Sequence, residues 1–252
     1  MASIVEVKQL TKIYRDKERG EVRAADEVSF NCARGEIFGI LGPNGAGKTT
    51  TLRMLSTVIR PTTGTALINE YDIVEQPQQV RASIGFLSST TGLFPRMTPL
   101  EILNYFGRLH HVPAQKLKQQ VEKLVSIFEM DQFMNVRSDR LSTGMKQKVS
   151  IGRTLIHDPP VLFFDEPTVG LDILVASTMM KFIQNCRREK RAVIFSTHTM
   201  SEAEKLCDRL AIIHQGRIHA IGSLKELQAR TGKRFLEDIF IDLIRNDGGI
   251  NE

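Results

Sequence analysis

The feature that most constrains this chain is a five-residue apolar run, Ile37–Leu41, that passes directly into Gly42-Pro43-Asn44-Gly45-Ala46-Gly47-Lys48-Thr49. The pattern G-x-x-x-x-G-K-[ST] carries its mechanism only when it follows a strand and opens a helix. Both flanks agree here. Ile37–Leu41 reads as a short buried strand, and Lys48–Ile59 places Leu52, Leu55 and Ile59 at helical spacing before Pro61. In such a loop the glycines let backbone N–H groups turn inward around phosphates, and the helix N-terminus adds its partial positive charge. Lys48 is then the candidate for the β- and γ-phosphates, Thr49 the candidate for a magnesium ligand, and Thr50 continues the helix start.

A second run, Val161-Leu-Phe-Phe, ends in Asp165-Glu166. A strand buried on both faces carries its C-terminal carboxylates to the mouth of a parallel sheet. A strand ending in acids is common by itself. Beside a phosphate loop, Asp165 becomes a candidate for the Mg²⁺ shell and Glu166 for polarising an attacking water.

The rest of the chain alternates strand and helix signals, which points to an α/β fold with a largely parallel sheet. Ile4–Val7, Ile84–Leu87, Val193–Thr197 and Asp208–His214 are further strand candidates, and Gln215-Gly216 turns the last into Arg217–Ile221. From about Leu87 to Asp158 strand signals vanish. There Leu117, Val121, Leu124, Val125 and Phe128 form one helical stripe. Phe235–Arg245 reads as an amphipathic helix packed on its own domain, with Leu236, Ile239, Phe240, Leu243 and Ile244 on one face.

Composition excludes several classes. No apolar stretch nears the ~18 residues of a membrane span, and MASIVEVKQL has no basic start followed by an apolar run, so no secretory signal is expected. The three cysteines, Cys32, Cys186 and Cys207, are scattered without CxxC spacing, which speaks for a reducing compartment rather than a disulfide or zinc framework. The net charge of +5 is modest. Its densest run, Arg187, Arg188, Lys190, Arg191, has no interleaved aromatics and reads as a solvated helix end rather than a nucleic-acid patch.

Leu141-Ser142-Thr143-Gly144-Met145-Lys146-Gln147-Lys148, shortly before Val161–Glu166, resembles the signature motif of ABC ATPases, whose familiar form is L-S-G-G-Q. Thr143 stands for the first glycine and Met145 for the glutamine. Other elements of that family follow in order from Ser3 to Ile221. Pro167-Thr-Val-Gly-Leu-Asp172 resembles the loop through which Asp172 communicates across a dimer. His198, in Ser196-Thr197-His198, resembles the switch histidine that touches the γ-phosphate. Tyr14 resembles the aromatic that stacks on adenine. The chain departs after Ile84–Leu87, where Ser89 stands in place of the usual glutamine and is a further metal candidate.

The resemblance implies a P-loop NTPase (RecA-like) core with an antiparallel β subdomain and an inserted α-helical subdomain. It divides the chain into a core over 1–86 and 159–225, a helical subdomain over 87–158, and a helical tail over 226–252. It implies an ATPase that binds ATP and Mg²⁺ between two cassettes, a homodimer, each site completed by the signature of the other. The partner is then an integral membrane permease, with the cassette cytoplasmic and peripheral on the inner face of the membrane and no nucleic acid bound. Within the family, the text around Ser89, the S-T-G-M-K-Q-K signature and Leu236–Phe240 look most like bacterial sodium-export subunits, and the same style of cassette serves drug exporters.

Overall fold

The computed structural model describes residues 3–16, 20–88 and 92–247. Two sheets organise it. Strands β1 (Ser3–Asp16) and β2 (Gly20–Ala33) run antiparallel. Next come β3 (Ile37–Leu41), helix α1 (Lys48–Leu55), β4 (Thr63–Ile68) and β5 (Tyr71–Asp72). Strands β2, β1, β4 and β5, in that order, make a four-stranded antiparallel sheet.

Helix α2 (Pro77–Ser83) leads into β6 (Ile84–Leu87). Helices α3 (Pro99–Leu109), α4 (Ala114–Phe128) and α5 (Thr143–Leu155) follow, then β7 (Val161–Asp165), α6 (Ile173–Arg188), β8 (Ala192–Thr197) and α7 (Met200–Leu206). Strands β9 (Arg209–His214) and β10 (Arg217–Gly222) close a six-stranded sheet of order β10-β9-β3-β8-β7-β6. All neighbours in it are parallel except β10, which turns back on β9 through Gln215 and Gly216, both at positive φ.

Strands β3, β7 and β8 are buried at every position, as a parallel sheet covered on both faces requires. Their side chains alternate between two cores. Phe38, Ile40, Phe163 and Ile194 face α1 and the antiparallel sheet, with Val5, Val28, Leu52 and Leu55. Ile37, Leu162, Phe164, Val193 and Phe195 face the helices, with Ile102, Leu103, Leu117, Leu124, Phe128 and Val149. The stripe read on α4 is therefore the face it buries, although Val125 is only partly covered.

Helix α1 is shorter than the spacing predicts, ending at Leu55 rather than Ile59. The Ser56 hydroxyl donates to Leu52 O at 2.8 Å and Thr57 sits at φ 58°, so the chain turns out of the helix. Ile59 still packs on the core, as a loop residue. The tail forms α8 (Leu224–Thr231) and α9 (Leu236–Asp247), and Leu236, Ile239 and Leu243 bury against Leu41, Leu210 and Ile212. The basic run spans the end of α6, and two of its cations are paired: Arg187 meets Asp208 at 2.7 Å, and Arg191 meets Asp158 at 2.6 Å and Glu189 at 2.8 Å. Among the described residues no helix is long and apolar enough to cross a membrane.

Candidate functional site

Three strand ends converge. In the parallel register Leu41 lies beside Thr197, and Asp165 beside Ser196. The glycine loop leaves β3 with its Gly42 N–H donating to Thr197 O at 3.3 Å. Its floor is the β9–β10 turn, where Gly216 N–H donates to Ala46 O and Asp26 N–H to Gly216 O, each at 2.9 Å. Two glycines are forced by this packing. A β-carbon on Gly42 would lie 2.2 Å from Ile213 O, and one on Gly47, at φ +102°, 2.3 Å from Ala24 O. No L-residue fits either place without moving backbone.

Lys48 is 4% exposed and donates to the carbonyls of Gly42 at 2.8 Å and Pro43 at 3.0 Å. Its ammonium also stands 3.2 Å from Glu166 Oε1. Two hydroxyls donate to the same oxygen of buried Asp165: Thr49 at 2.9 Å and Ser196 at 2.8 Å. The Ser196 hydroxyl in turn accepts the backbone N–H of Glu166 at 3.0 Å. That bond supports Glu166 in the left-handed region, at φ 50°, where a side chain costs about 1–2 kcal/mol. His198 Nδ1 lies 3.3 Å from the Oε1 that faces Lys48. A cavity of about 140 Å³ opens here, lined by Ala24, Asn44, Lys48, Thr50, Glu166 and the loop between.

The other sequence candidates lie elsewhere. Ser142 caps α5, its hydroxyl accepting the Met145 N–H at 3.3 Å, with Thr143 as first helical residue and Leu141 buried. Asp172 caps α6 by accepting the N–H groups of Leu174 at 3.0 Å and Val175 at 2.9 Å. The two helix starts adjoin: a β-carbon on Gly144 would sit 3.5 Å from the Asp172 carboxylate and 3.2 Å from Val175. Beside them Val169, Ile173 and Leu174 are 53%, 87% and 80% exposed. Tyr14 is on β1, with Lys12 Nζ 5.3 Å from its ring centre, and no hydrogen bond or ring contact among the described residues joins it to the loop. Ser89 lies outside the described residues.

Sequence reading passed over the part played by Ser196, whose hydroxyl hydrogen-bonds both Asp165 and Glu166. Its signal was present as a hydroxyl at the end of an otherwise apolar strand, Ala-Val-Ile-Phe-Ser-Thr. Glu202, which meets Thr168 and Thr197, was also missed.

A parallel run of strands in which one central strand ends in this loop and the next but one ends in Asp-Glu defines a P-loop nucleotide-binding core. Comparison with known proteins narrows the class. A family model described as ABC transporter matches residues 25–169. The chain is 42% identical over 229 residues to the ABC transporter ATP-binding protein NatA of Bacillus subtilis, covering 90% of this chain and 93% of that one. It is 38% identical to Nod factor export ATP-binding protein I of Paraburkholderia xenovorans, covering 84% and 70%. An ATP-binding subunit of an ABC transporter superposes with a TM-score of 0.87 at 27% identity, covering 96% of this chain and 99% of that one. A bacterial ABC transporter cassette solved as a dimer superposes at 0.77 with 25% identity, covering 87% and 98%. The chain belongs to the ABC transporter family, and it is an ATP-binding, ATP-hydrolysing cassette.

Proposed function

We propose that this cassette energises a membrane exporter by closing on a second cassette around ATP, with Glu166 as the general base. The observation that carries this reading is the placing of one carboxylate, Glu166, between Lys48 and His198 at the open side of the phosphate loop. Phosphate oxygens compete for the Lys48 ammonium, which Glu166 otherwise neutralises. As Lys48 turns to the phosphates, Glu166 is released to accept a proton from water, and His198 stays within reach of the same oxygen and of the γ-phosphate. Asn44 through Thr50 surround the phosphates, and Tyr14 supplies a face for adenine.

Thr49 and Asp165 fit magnesium: their oxygens, 2.9 Å apart, are the hard donors this ion takes. When bound, the ion supplies charge neutralisation across the β- and γ-phosphates. Ser89 is kept as a further metal candidate.

The second cassette is part of the proposal. Gly144 and Asp172 adjoin, next to exposed Ile173 and Leu174, and among the described residues no hydrogen bond or ion pair joins Leu141–Met145 or Asp172 to the loop of their own chain. A helix start held open by Ser142 offers an anion site to the partner's γ-phosphate, and the dimer of a related cassette supports this pairing. Export, an integral membrane permease as partner and a cytoplasmic, peripheral place on the membrane follow the Nod factor export relative and the family. So does the division into a core of 1–86 and 159–225, a helical subdomain of 87–158 and a tail of 226–252. A cavity of about 500 Å³ lined by Arg53, Arg81, Phe86, Phe106 and Arg153 lies apart from the phosphate loop and suits a docking segment of the permease.

Glu166→Gln tests the reading. It keeps the size of the side chain and removes the base, so Mg-ATP binding persists, turnover stops and an ATP-held dimer accumulates on gel filtration. A variant that still hydrolyses ATP removes Glu166 as the base.

A further inference from the structure

Glu202 lies on α7, outside every motif described above, and its carboxylate joins the two loops that bear the chemistry. Thr168 donates its hydroxyl to one oxygen of Glu202. Thr197 donates its hydroxyl to the other at 2.7 Å. Thr168 follows Glu166 by two residues, and Thr197 directly precedes His198. No ion pair among the described residues includes Glu202. Its charge is therefore directed at two hydroxyls, and hydrogen bonds to a charged group are the strong kind.

Glu166 needs such support. At φ 50° its backbone is in a region that persists only when neighbours over-determine it. On its N-terminal side the Ser196 hydroxyl holds the Glu166 N–H. On its C-terminal side Thr168, through Glu202, is the side-chain anchor. The Thr197 hydroxyl is tied twice, since it also accepts the Thr199 N–H at 3.0 Å, which fixes the turn that aims His198. One carboxylate thus sets the spacing at which His198 Nδ1 and Glu166 Oε1 stand 3.3 Å apart.

We propose that Glu202 is a positioning residue for hydrolysis, cross-linking the Glu166 loop to the His198 loop so that both side chains meet the same phosphate. The inference rests on the roles given to Glu166 and His198 above. It predicts a defect in turnover rather than in binding, because among the described residues no hydrogen bond or ion pair joins Glu202 to Lys48 or the glycine loop.

Steady-state ATPase of the purified chain decides it, with wild type, Glu166→Gln, Glu202→Ala, Glu202→Gln, Thr168→Val and the Glu202→Ala/Thr168→Val double variant. Misplacing a catalytic group by about 1 Å costs on the order of 100-fold. Glu202→Ala is therefore expected to lose roughly 10- to 100-fold in kcat, with KM for ATP within about twofold. Glu202→Gln recovers most of the rate, since an amide can accept from one threonine and donate to the other. Thr168→Val reproduces part of the loss with Glu202 intact, which separates the link from misfolding of α7. The double variant is no slower than Glu202→Ala alone, because both changes break one link. An unchanged kcat in Glu202→Ala overturns the inference, as does a KM that rises in step with the fall in kcat, or losses that multiply in full in the double variant. If Glu166→Gln is inactive while Glu202→Ala turns over normally, the proposed function stands and only the positioning role fails. Turnover surviving in Glu166→Gln overturns the role of Glu166 and the inference with it.

Discussion

Replacing Ser196 by alanine removes the hinge pin of the site without touching nucleotide. The side chain is fully buried, and it makes two bonds at once. Losing its donation to Asp165 costs about 1.5–3 kcal/mol, the range for a hydrogen bond to a charge. Leaving the Glu166 N–H without its acceptor costs about 1–3 kcal/mol. The two are coupled through one atom, so they do not add in full, and a net loss near 3 kcal/mol is expected. A cassette of this size loses about 2–4 °C in Tm per kcal/mol, so the variant should melt roughly 10 °C lower. The same change frees Glu166 from its left-handed backbone, and kcat should fall at least about tenfold. Binding of ATP should stay within a few-fold of wild type, because Lys48 keeps its carbonyls at 2.8 and 3.0 Å. Differential scanning fluorimetry, nucleotide titration and steady-state turnover read the three effects. A Tm within about 2 °C of wild type together with kcat within about twofold would falsify the claim that this hydroxyl holds Glu166 in place.

Lys48→Ala removes a charge-assisted phosphate contact worth roughly 1.5–3 kcal/mol, so ATP affinity by calorimetry should drop about 10- to 150-fold and hydrolysis should be undetectable. Arg217, by hydrogen bonding, holds the Asp26 carboxyl below its ordinary value of 3.8 against the opposing effect of burial, with Arg23 helping. Its contribution is complete above pH 3.8 and fades as acid protonates the folded form. Wild type should therefore exceed Asp26→Asn in denaturant stability at neutral pH, and the gap should close below pH 3.8. Burial, followed by the charge of His110 stacked on it at 3.7 Å, lowers the His157 pKa from 6.5 to about 4, with Arg191 adding to the fall and Asp158 and Ile84 O opposing it. Unfolding then takes up a proton, so this group withdraws stability as pH drops from 6.5 to 4, roughly 3 kcal/mol in all. Urea melts of His157→Gln should show a flatter acid limb than wild type, and parallel limbs would dismiss His157 as the cause.

How much of this could be read from the chain depends on whether the signal is local. The β3 run, its glycine loop and the Asp-Glu end of β7 are contiguous, and each stands where the sequence places it. Strand β2 was not legible although Ala25, Val28, Phe30 and Cys32 are its buried face. A bulge explains why: Glu27 at φ 52° and a register shift at Leu10–Val28 put two residues, Asp26 and Glu27, between Ala25 and Val28 where alternation allows one, which breaks the period of two. The end of α1 was misread because apolar spacing continues to Ile59 while Thr57 leaves the helix. The adjacency of Gly144 and Asp172, the bonds of Ser196 and the link through Glu202 join segments up to 34 residues apart along the chain, and they exist only once strands and helices are packed. A resemblance to a family can assign such residues a role. Spacing alone cannot show that they touch.

Strand β8 lies between β3 and β7 in the sheet, yet of the three it is the last to be synthesised. The strand that joins the loop's strand to the Asp165 strand is therefore missing until residues 192–197 have been synthesised. At ribosomal rates of about 5–20 residues per second, that interval is on the order of 10 seconds. Throughout it the glycine loop has neither Thr197 O for its Gly42 N–H nor Gly216 beneath Ala46, and there is no His198. The cassette thus gains its hydrolytic centre only when its central sheet is complete.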